Sequence, residues 1–149
     1  MSHLVRPVTM SFAVAAPPEE VFEFVADTRN DPIWCHNVSD VEQTAGEGVD
    51  VGSRFRFHQT VETGGRTLES DVDVEVVEMG EGAITWKVGD RFQEREVRLE
   101  VVPDGEGSTV RQTTVAGFRR PPGLARWLYP MLARKTFKDQ LERLAEHFE

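Results

Sequence analysis

The sequence predicts an α+β protein in which a curved antiparallel sheet wraps around one long C-terminal helix. Several segments alternate apolar and polar residues with a period of two, which is typical of strands buried on one face. Short glycine turns such as Gly64-Gly65 and Gly80–Gly82 join these segments, so neighbouring strands pair antiparallel. Only the last segment is long enough, and apolar enough at helical spacing, to cover the apolar face of the sheet. We expect one domain over residues 1–149.

The first part of the chain predicts a strand followed by two short helices. Val8–Val14 alternates in the manner of a half-buried strand. Ala16–Glu20 then supplies prolines and two carboxylates, which both favour the beginning of a helix. Turn-forming residues at 27–32 end this helix. Asp31, which precedes a proline, is typical of a helix N-cap and predicts a second, brief helical turn through Trp34.

Six further segments predict the remaining strands of the sheet. They are Val38–Thr44, Arg54–Val61, Leu68–Val76, Ile84–Val88, Val97–Val101 and Val110–Ala116. The third carries Asp71, Asp73 and Glu75 on its polar face, which we interpret as a solvated acidic stripe rather than a catalytic group. Lys87 or Arg98 on neighbouring strands is expected to offset the repulsion between these carboxylates.

The C-terminal segment predicts the long helix. Pro121–Gly123 ends the last strand, and Pro130, which lacks a backbone donor, predicts a kink or a late helix start. Apolar residues recur through the segment at helical spacing. On one stripe of this helix Trp127 and Met131 are candidates to contact a ligand, whereas Lys135 reaches toward solvent.

The composition describes a globular chain with an acidic surface. Of the 149 residues, 39% are hydrophobic and 29% are charged, and the formal net charge is -9. Folding of a chain of this length buries about 68–70% of its unfolded surface, which is enough for a core without disulfides or metals. The excess negative charge repels phosphate backbones and anionic lipid headgroups, so we expect neither a nucleic-acid partner nor membrane insertion.

The expected compartment is the cytoplasm. The N-terminal residues lack the features of a secretory signal, and no apolar run approaches the roughly 18 residues that a spanning helix requires. Cys35, the single cysteine, excludes an internal disulfide. Cys35 and His36 point about 100° apart on a helical turn and so do not form a thiolate–imidazole pair. No metal-ligand spacing and no phosphate-binding loop is present, so we expect neither a metal nor a cofactor.

Parity along the strands predicts several polar side chains on the inner, apolar face of the sheet. Each buried polar group without a partner costs about 1–3 kcal/mol, and an unpaired arginine costs more. Polar groups in an apolar shell are typical of a ligand pocket, where they orient the ligand. Alternatively, a bulge turns some of them outward, or they bond one another. The inward polar candidates are Gln59, Ser70, Gln93, Arg95, Gln112 and Thr114.

Aromatic residues complete the candidate ligand-binding set. Trp34 either lines the mouth of the pocket beside the short helices or plugs the end of the core. Phe57 and Trp86 point inward and are either plain core residues or ligand contacts. Trp127 and Met131 join them from the long helix, and no catalytic residue is assigned.

Taken in chain order, several motifs resemble the START/Bet v 1-like (SRPBCC) superfamily and, within it, the bacterial polyketide cyclase/dehydrase-like group. The motifs are Ala16-Pro17-Pro18-Glu19-Glu20-Val21-Phe22 followed by Asp27 and Pro32-Ile33-Trp34, then Val51-Gly52-Ser53-Arg54-Phe55, Gly107-Ser108-Thr109-Val110 and Leu141-Glu142-Arg143-Leu144. The resemblance covers nearly the whole chain. It implies the helix-grip fold, with a hydrophobic cavity between the sheet and the long helix.

The resemblance leaves several functions open, because such proteins bind or transfer lipids, steroids and plant hormones, cyclise polyketides, serve in aromatic-ring hydroxylases or bind chaperones. The first hypothesis is a carrier or sensor of a small hydrophobic molecule such as a lipid or polyketide. The second is a cofactor-free aromatase/cyclase or dehydratase, in which Arg95, Gln112, Thr114 and Ser70 hold a polyketone and stabilise an enolate oxygen. The third is a protein-interaction module of the chaperone-activator type. We expect a monomer or a homodimer.

Overall fold

The structure, a computed structural model, describes the backbone of residues 3–4, 6–63, 65–91, 93–118 and 125–149, and the side chains of 6–62, 65–91, 93–117 and 131–149. Short helices follow the first strands, and the long helix follows the last strand, as the sequence predicts. They are β1 (His3–Leu4), β2 (Val8–Val14), α1 (Pro18–Ala26), a 3₁₀ turn (Thr28–Asn30), α2 (Asp31–Trp34), β3 (Val38–Ala45), β4 (Arg54–Thr63), β5 (Arg66–Gly80), β6 (Ala83–Gly89), β7 (Gln93–Asp104), β8 (Gly107–Phe118) and α3 (Ala125–His147).

The strands form one antiparallel sheet in which β3 to β8 follow each other as neighbours. β1 and β2 both pair with β8. Short turns join β4 through β8, and Gly82 and Gly105, with φ of 73° and 62°, supply the left-handed residues that two of these turns require. The predicted order of strands and helices is confirmed.

One face of the sheet and one stripe of α3 form the core. In β5 the alternate residues Val72, Val74 and Val76 are buried, as a strand with one face on the core requires. Where the side chains of α3 are described, from residue 131 onward, the buried residues are Ala133, Phe137, Leu141 and Leu144, spaced by three or four as one face of a helix requires. α3 packs against β2 and α2, and α1 packs against β7 and β8. The long helix therefore lies on the apolar side of the sheet.

The acidic stripe on the outer face of β5 forms ion pairs with β4, and Lys87 of β6 lies directly opposite Glu75 in the register, where its charge offsets the repulsion as the sequence predicts. Arg56 Nε lies 2.9 Å from Asp73 Oδ1, and Arg54 Nη2 lies 3.3 Å from Glu75 Oε1. The register places each arginine directly opposite its acid, and parity along a single strand does not reveal that register. Exposed pairs of this kind contribute about 0–1 kcal/mol each, so they offset the repulsion with little effect on stability.

His58, on the same outer face of β4, is expected to titrate above the usual histidine range. Its Nε2 lies 3.3 Å from Glu69 Oε1, and its Nδ1 lies 3.4 Å from Asp71 Oδ1. Hydrogen bonds to Glu69 and then to Asp71 raise the pKa of His58 from 6.5. Because the folded-state pKa is the higher one, the imidazolium stabilises the fold fully below pH 6.5. This contribution is lost as the pH rises through the folded-state pKa.

An NMR titration of the His58 ring protons measures this shift. We expect a midpoint above 6.5 in the wild type and a lower midpoint in Glu69→Gln. Glu62→Gln removes another exposed acid near the end of β4 and serves as the control. An unchanged midpoint in Glu69→Gln contradicts the assigned cause.

Candidate ligand site on the inner face of the sheet

A row of inward-facing side chains crosses the middle of the sheet. The register places Val97 of β7 between Trp86 of β6 and Thr114 of β8, and it places Thr114 opposite Val8 of β2. Neighbouring strands are about 4.8 Å apart, so Trp86 and Thr114 start from backbone positions roughly 10 Å apart. Both side chains are buried, with 7% and 0% of their surface exposed.

Arg95 lies in the next row toward the start of β7. Its register partners are Val88 and Ala116, which are both buried residues of the inner face. Burial raises the pKa of the Cys35 thiol at the end of α2, and the charge of Arg95 partly opposes that rise. The guanidinium is therefore within electrostatic reach of the interior. Within the described part of the chain, no hydrogen bond or ion pair joins Arg95 to another residue.

Five buried polar side-chain atoms of the described residues have no hydrogen-bond partner in the protein. They are Nε1 of Trp34 and of Trp86, the side-chain oxygens of Asn37 and Gln93, and the hydroxyl of Thr114. A buried polar group without a partner costs about 1–3 kcal/mol, and native cores mostly avoid it. Four of these residues are candidates from the sequence. Asn37 was missed because it precedes β3, where no strand parity applies.

Two carboxylates near α2 have opposite environments, and the sequence pattern marks neither as a candidate for the site. Asp27 accepts a hydrogen bond from Arg29 Nη2 at 2.8 Å, and this bond lowers the pKa of Asp27. Burial, reinforced by the charge of Asp27, raises the pKa of Asp31 well above its usual value. Asp31 therefore keeps its proton to higher pH than an ordinary aspartate. The prediction that Asp31 is the N-cap of α2 is wrong, because Asn30 occupies the cap and Asp31 lies in the first turn.

Cys35 is expected to resist thiol reagents in the folded protein. Its residue is 6% exposed. Burial and then the charge of Asp31 raise its pKa well above the usual value, and the charges of Arg95 and Arg143 oppose this only in part. Reaction with Ellman's reagent at about pH 8 should be orders of magnitude slower than in urea, where the thiol has its ordinary pKa near 8.5. Comparable rates in the two conditions would show that the thiol is accessible.

The other polar candidates have differing surroundings. Gln112 is buried at 5% exposure, opposite Leu99. Ser70 donates a hydrogen bond to Asp90 Oδ2 at 3.2 Å. The Ser70 hydroxyl is thus satisfied within the protein, as one of the alternative interpretations expects. Gln59 lies opposite Ser70 in the register and is half-buried.

The aromatic candidates are buried, whereas a candidate from the long helix is not. Trp34 and Phe57 are 5% and 6% exposed and belong to the main core. Met131 is 61% exposed, so the prediction that it faces a ligand inside the sheet is wrong. Two residues turn a helix by about 200°, which directs Met131 away from the buried stripe that begins at Ala133. The Trp127 side chain lies outside the described residues.

An open groove of about 720 Å³ lies on the opposite, outer face of the sheet. Most of its lining comes from the outward residues of β4 to β8, and Phe55, Val74, Val88 and Arg95 also contribute to it. Its outward residues carry both signs of charge, for example on Arg56, Asp73, Lys87 and Glu96. A charged wall offers little apolar contact to a hydrophobic molecule. The inner face is therefore the candidate site for such a ligand.

The described residues contain no helix that is both long and apolar enough to span a bilayer. Among the same residues, His, Cys, Asp and Glu side chains do not gather in groups of three suited to a metal ion.

The strand order, the long helix and the polar groups on the inner face define a helix-grip protein of the START/Bet v 1-like class. The chain belongs to the family described as polyketide cyclase / dehydrase and lipid transport, whose sequence model matches residues 6–149. The family resemblance is thereby confirmed. The family includes hydrophobic-ligand binding and polyketide cyclase-type functions and does not distinguish between them. No curated protein matches the chain significantly.

Solved structures share the fold over almost the whole chain. A START superfamily protein from Mycobacterium smegmatis is 22% identical, with 95% of this chain and 96% of that chain covered and a TM-score of 0.74. The Zhui aromatase/cyclase from Streptomyces sp. R1128 is 17% identical, with 97% and 93% covered and a TM-score of 0.76. Ginseng major latex-like protein 151 from Panax ginseng is 15% identical, with 98% and 99% covered and a TM-score of 0.75. These likenesses confirm the helix-grip fold and carry no function by themselves.

Proposed function

We propose that the protein binds a small, largely apolar molecule on the inner face of the sheet and acts as its carrier or sensor. The observation that carries this proposal is the set of buried polar atoms without protein partners. Trp86 and Thr114 lie on either side of Val97 in one row across the inner face, and Arg95 lies in the adjacent row. A bound molecule whose oxygens meet these groups removes a cost of about 1–3 kcal/mol for each group.

The walls around these groups are apolar. Val8, Val88, Val97 and Ala116 are their register neighbours on the inner face. In such a site apolar contacts supply most of the affinity and a few polar groups fix the orientation of the ligand. Binding requires only these features, and lipid transport is among the functions in the family's description. For that reason we place the carrier or sensor ahead of an enzyme.

Native mass spectrometry of the protein purified from its own host, without detergent, tests the proposal. We expect a non-covalent adduct of defined mass that disappears on denaturation. Lys87→Gln, in the outer groove, should keep the adduct, whereas Thr114→Val should reduce its occupancy. Protein that is consistently empty, and that also resists loading by a broad panel of lipids and polyketides, contradicts the proposal.

A second candidate function, polyketide cyclisation or dehydration, is favoured by Asp31. Its raised pKa suits a proton donor. In an aldol cyclisation solvent would take the α-proton of the β-dicarbonyl unit while Arg95 stabilises the enolate oxygen that forms. As the enolate carbon bonds to the ketone carbon, the Asp31 carboxyl would pass its proton to the ketone oxygen and then regain a proton from solvent. The Streptomyces structure shows that a protein with this fold is an aromatase/cyclase.

The Asp31→Asn variant distinguishes an enzymatic function from a carrier function. If the protein cyclises a surrogate poly-β-ketone thioester, this substitution should slow the reaction by about 100-fold or more, the usual contribution of a general acid. Asp40→Asn removes an exposed carboxylate and should leave the rate unchanged. A wild-type protein that gives no acceleration over buffer rules out the enzyme for that substrate class and leaves the binding function intact.

A further inference from the structure

We propose that the molecule bound on the inner face carries an acidic oxygen (a carboxylic acid, an acidic phenol or the enol of a β-dicarbonyl) that pairs with the guanidinium of Arg95. This inference rests on the proposed function, because it names the chemical class of the molecule bound at that same site. It separates an acidic ligand from a neutral lipid or sterol, which the apolar walls alone would accept equally well.

The groups with unmet hydrogen bonds include donors that cannot accept. The indole Nε1 atoms of Trp34 and Trp86 are buried without a partner, and an indole N–H only donates. A guanidinium has five N–H donors and no acceptor. A ligand that satisfies these groups therefore presents acceptor oxygens, which excludes a plain hydrocarbon.

Arg95 brings a permanent positive charge to the inner face. Arginine side chains carry their charge in proteins generally, and no described carboxylate forms an ion pair with Arg95. Its chain neighbours Glu94 and Glu96 are exposed on the outer face. Asp31 is a weak counter-ion, because burial favours its protonated form. An anionic oxygen on the ligand supplies the missing counter-charge, and a charged hydrogen bond is about twice as strong as a neutral one.

The register fixes the position of the acid relative to the other polar groups. Arg95 and Val97 are alternate residues of β7, so their rows are about 6.8 Å apart along the strand. Trp86 and Thr114 stand in the second row, on either side of Val97. The expected ligand thus has its acidic group at one end and a carbonyl or hydroxyl about one row away. A fused-ring aromatic acid has this shape.

Binding of 2-naphthoic acid and of its neutral isostere 2-naphthamide, measured by isothermal titration calorimetry, tests the inference. We expect the acid to bind the wild-type protein about 10-fold more tightly than the amide, the difference between a charged and a neutral hydrogen bond. In Arg95→Gln the two affinities should become equal, mainly through weaker binding of the acid. Arg111→Gln removes an exposed arginine from the outer face of β8 and should keep the wild-type preference.

Equal affinities in the wild-type protein, or an acid preference that survives Arg95→Gln, overturn the inference while the proposed function stands. Binding of neither probe counts against both. If Arg95→Gln does not fold, Arg95→Lys tests the pairing instead. Lysine keeps the positive charge but lacks the planar guanidinium that binds a carboxylate through two hydrogen bonds. The acid preference should then fall without disappearing, and an undiminished preference contradicts the pairing with Arg95.

Discussion

Phe55→Ala is expected to lower the free energy of unfolding by about 3–5 kcal/mol. Phe55 is fully buried in β4, where its register partners are Val74 of β5 and Gln43 of β3. Truncation removes the ring from the core and leaves a cavity, which a strand paired on both sides closes only in part. Domains are stable by about 5–15 kcal/mol, so the loss is a large share of the total. Urea denaturation followed by circular dichroism measures it.

Val61→Ala is the matched control for this prediction. Val61 lies on the same strand but is 41% exposed, so its truncation should change the free energy of unfolding by no more than about 0.5 kcal/mol. Losses of similar size in the two variants would show that the inner face of β4 is not part of a packed core.

Thr114→Val is expected to stabilise the empty protein by about 1–3 kcal/mol while it weakens ligand binding. The Thr114 hydroxyl is buried and has no protein partner, so it carries an uncompensated desolvation cost. Valine has a similar shape and removes that cost. A ligand bound at this position loses one hydrogen bond, which corresponds to a roughly 2- to 10-fold lower affinity. Urea denaturation and titration with 2-naphthamide measure the two effects.

The adjacent threonine provides the control. Thr113 points to the outer face, where its hydroxyl lies 3.2 Å from that of Thr9. Thr113→Val should therefore leave stability unchanged or slightly lower, with no effect on affinity. If Thr114→Val destabilises the protein and leaves affinity unchanged, its hydroxyl does not belong to a ligand site.

Strand parity made much of the fold and of the inner face predictable. The predicted alternation of inward and outward side chains through Val72, Val74 and Val76 is observed in the structure, because one side of β5 is buried and the other is solvated. The same period placed Arg95 and Thr114 on the inner face. Which residues lie opposite one another is a property of two strands, so the pairing of the acidic stripe with Arg54 and Arg56 was not available from either strand alone.

Residues outside the strands were harder to place. Asp31 has the sequence pattern of a helix cap, and the packing of α2 on its neighbours, which leaves the residue half-buried, raises its pKa. Met131 has helical spacing relative to Trp127, but the rotation of α3 about its axis is set by the contacts of Phe137 and Leu141 with the core. Side-chain burial at these positions depends on the tertiary packing, which a local pattern does not contain.

Binding on the inner face, rather than in the outer groove, is tested most directly by the indole N–H resonances of a ¹⁵N-labelled sample. The chain has three tryptophans, and Trp34→Phe and Trp86→Phe assign the two buried indoles. Titration with 2-naphthoic acid should shift both of these resonances and give intermolecular NOEs to the naphthalene protons. Shifts confined to outer-groove amides such as those of Lys87 and Glu96, with Trp34 and Trp86 unchanged at saturation, would contradict the account.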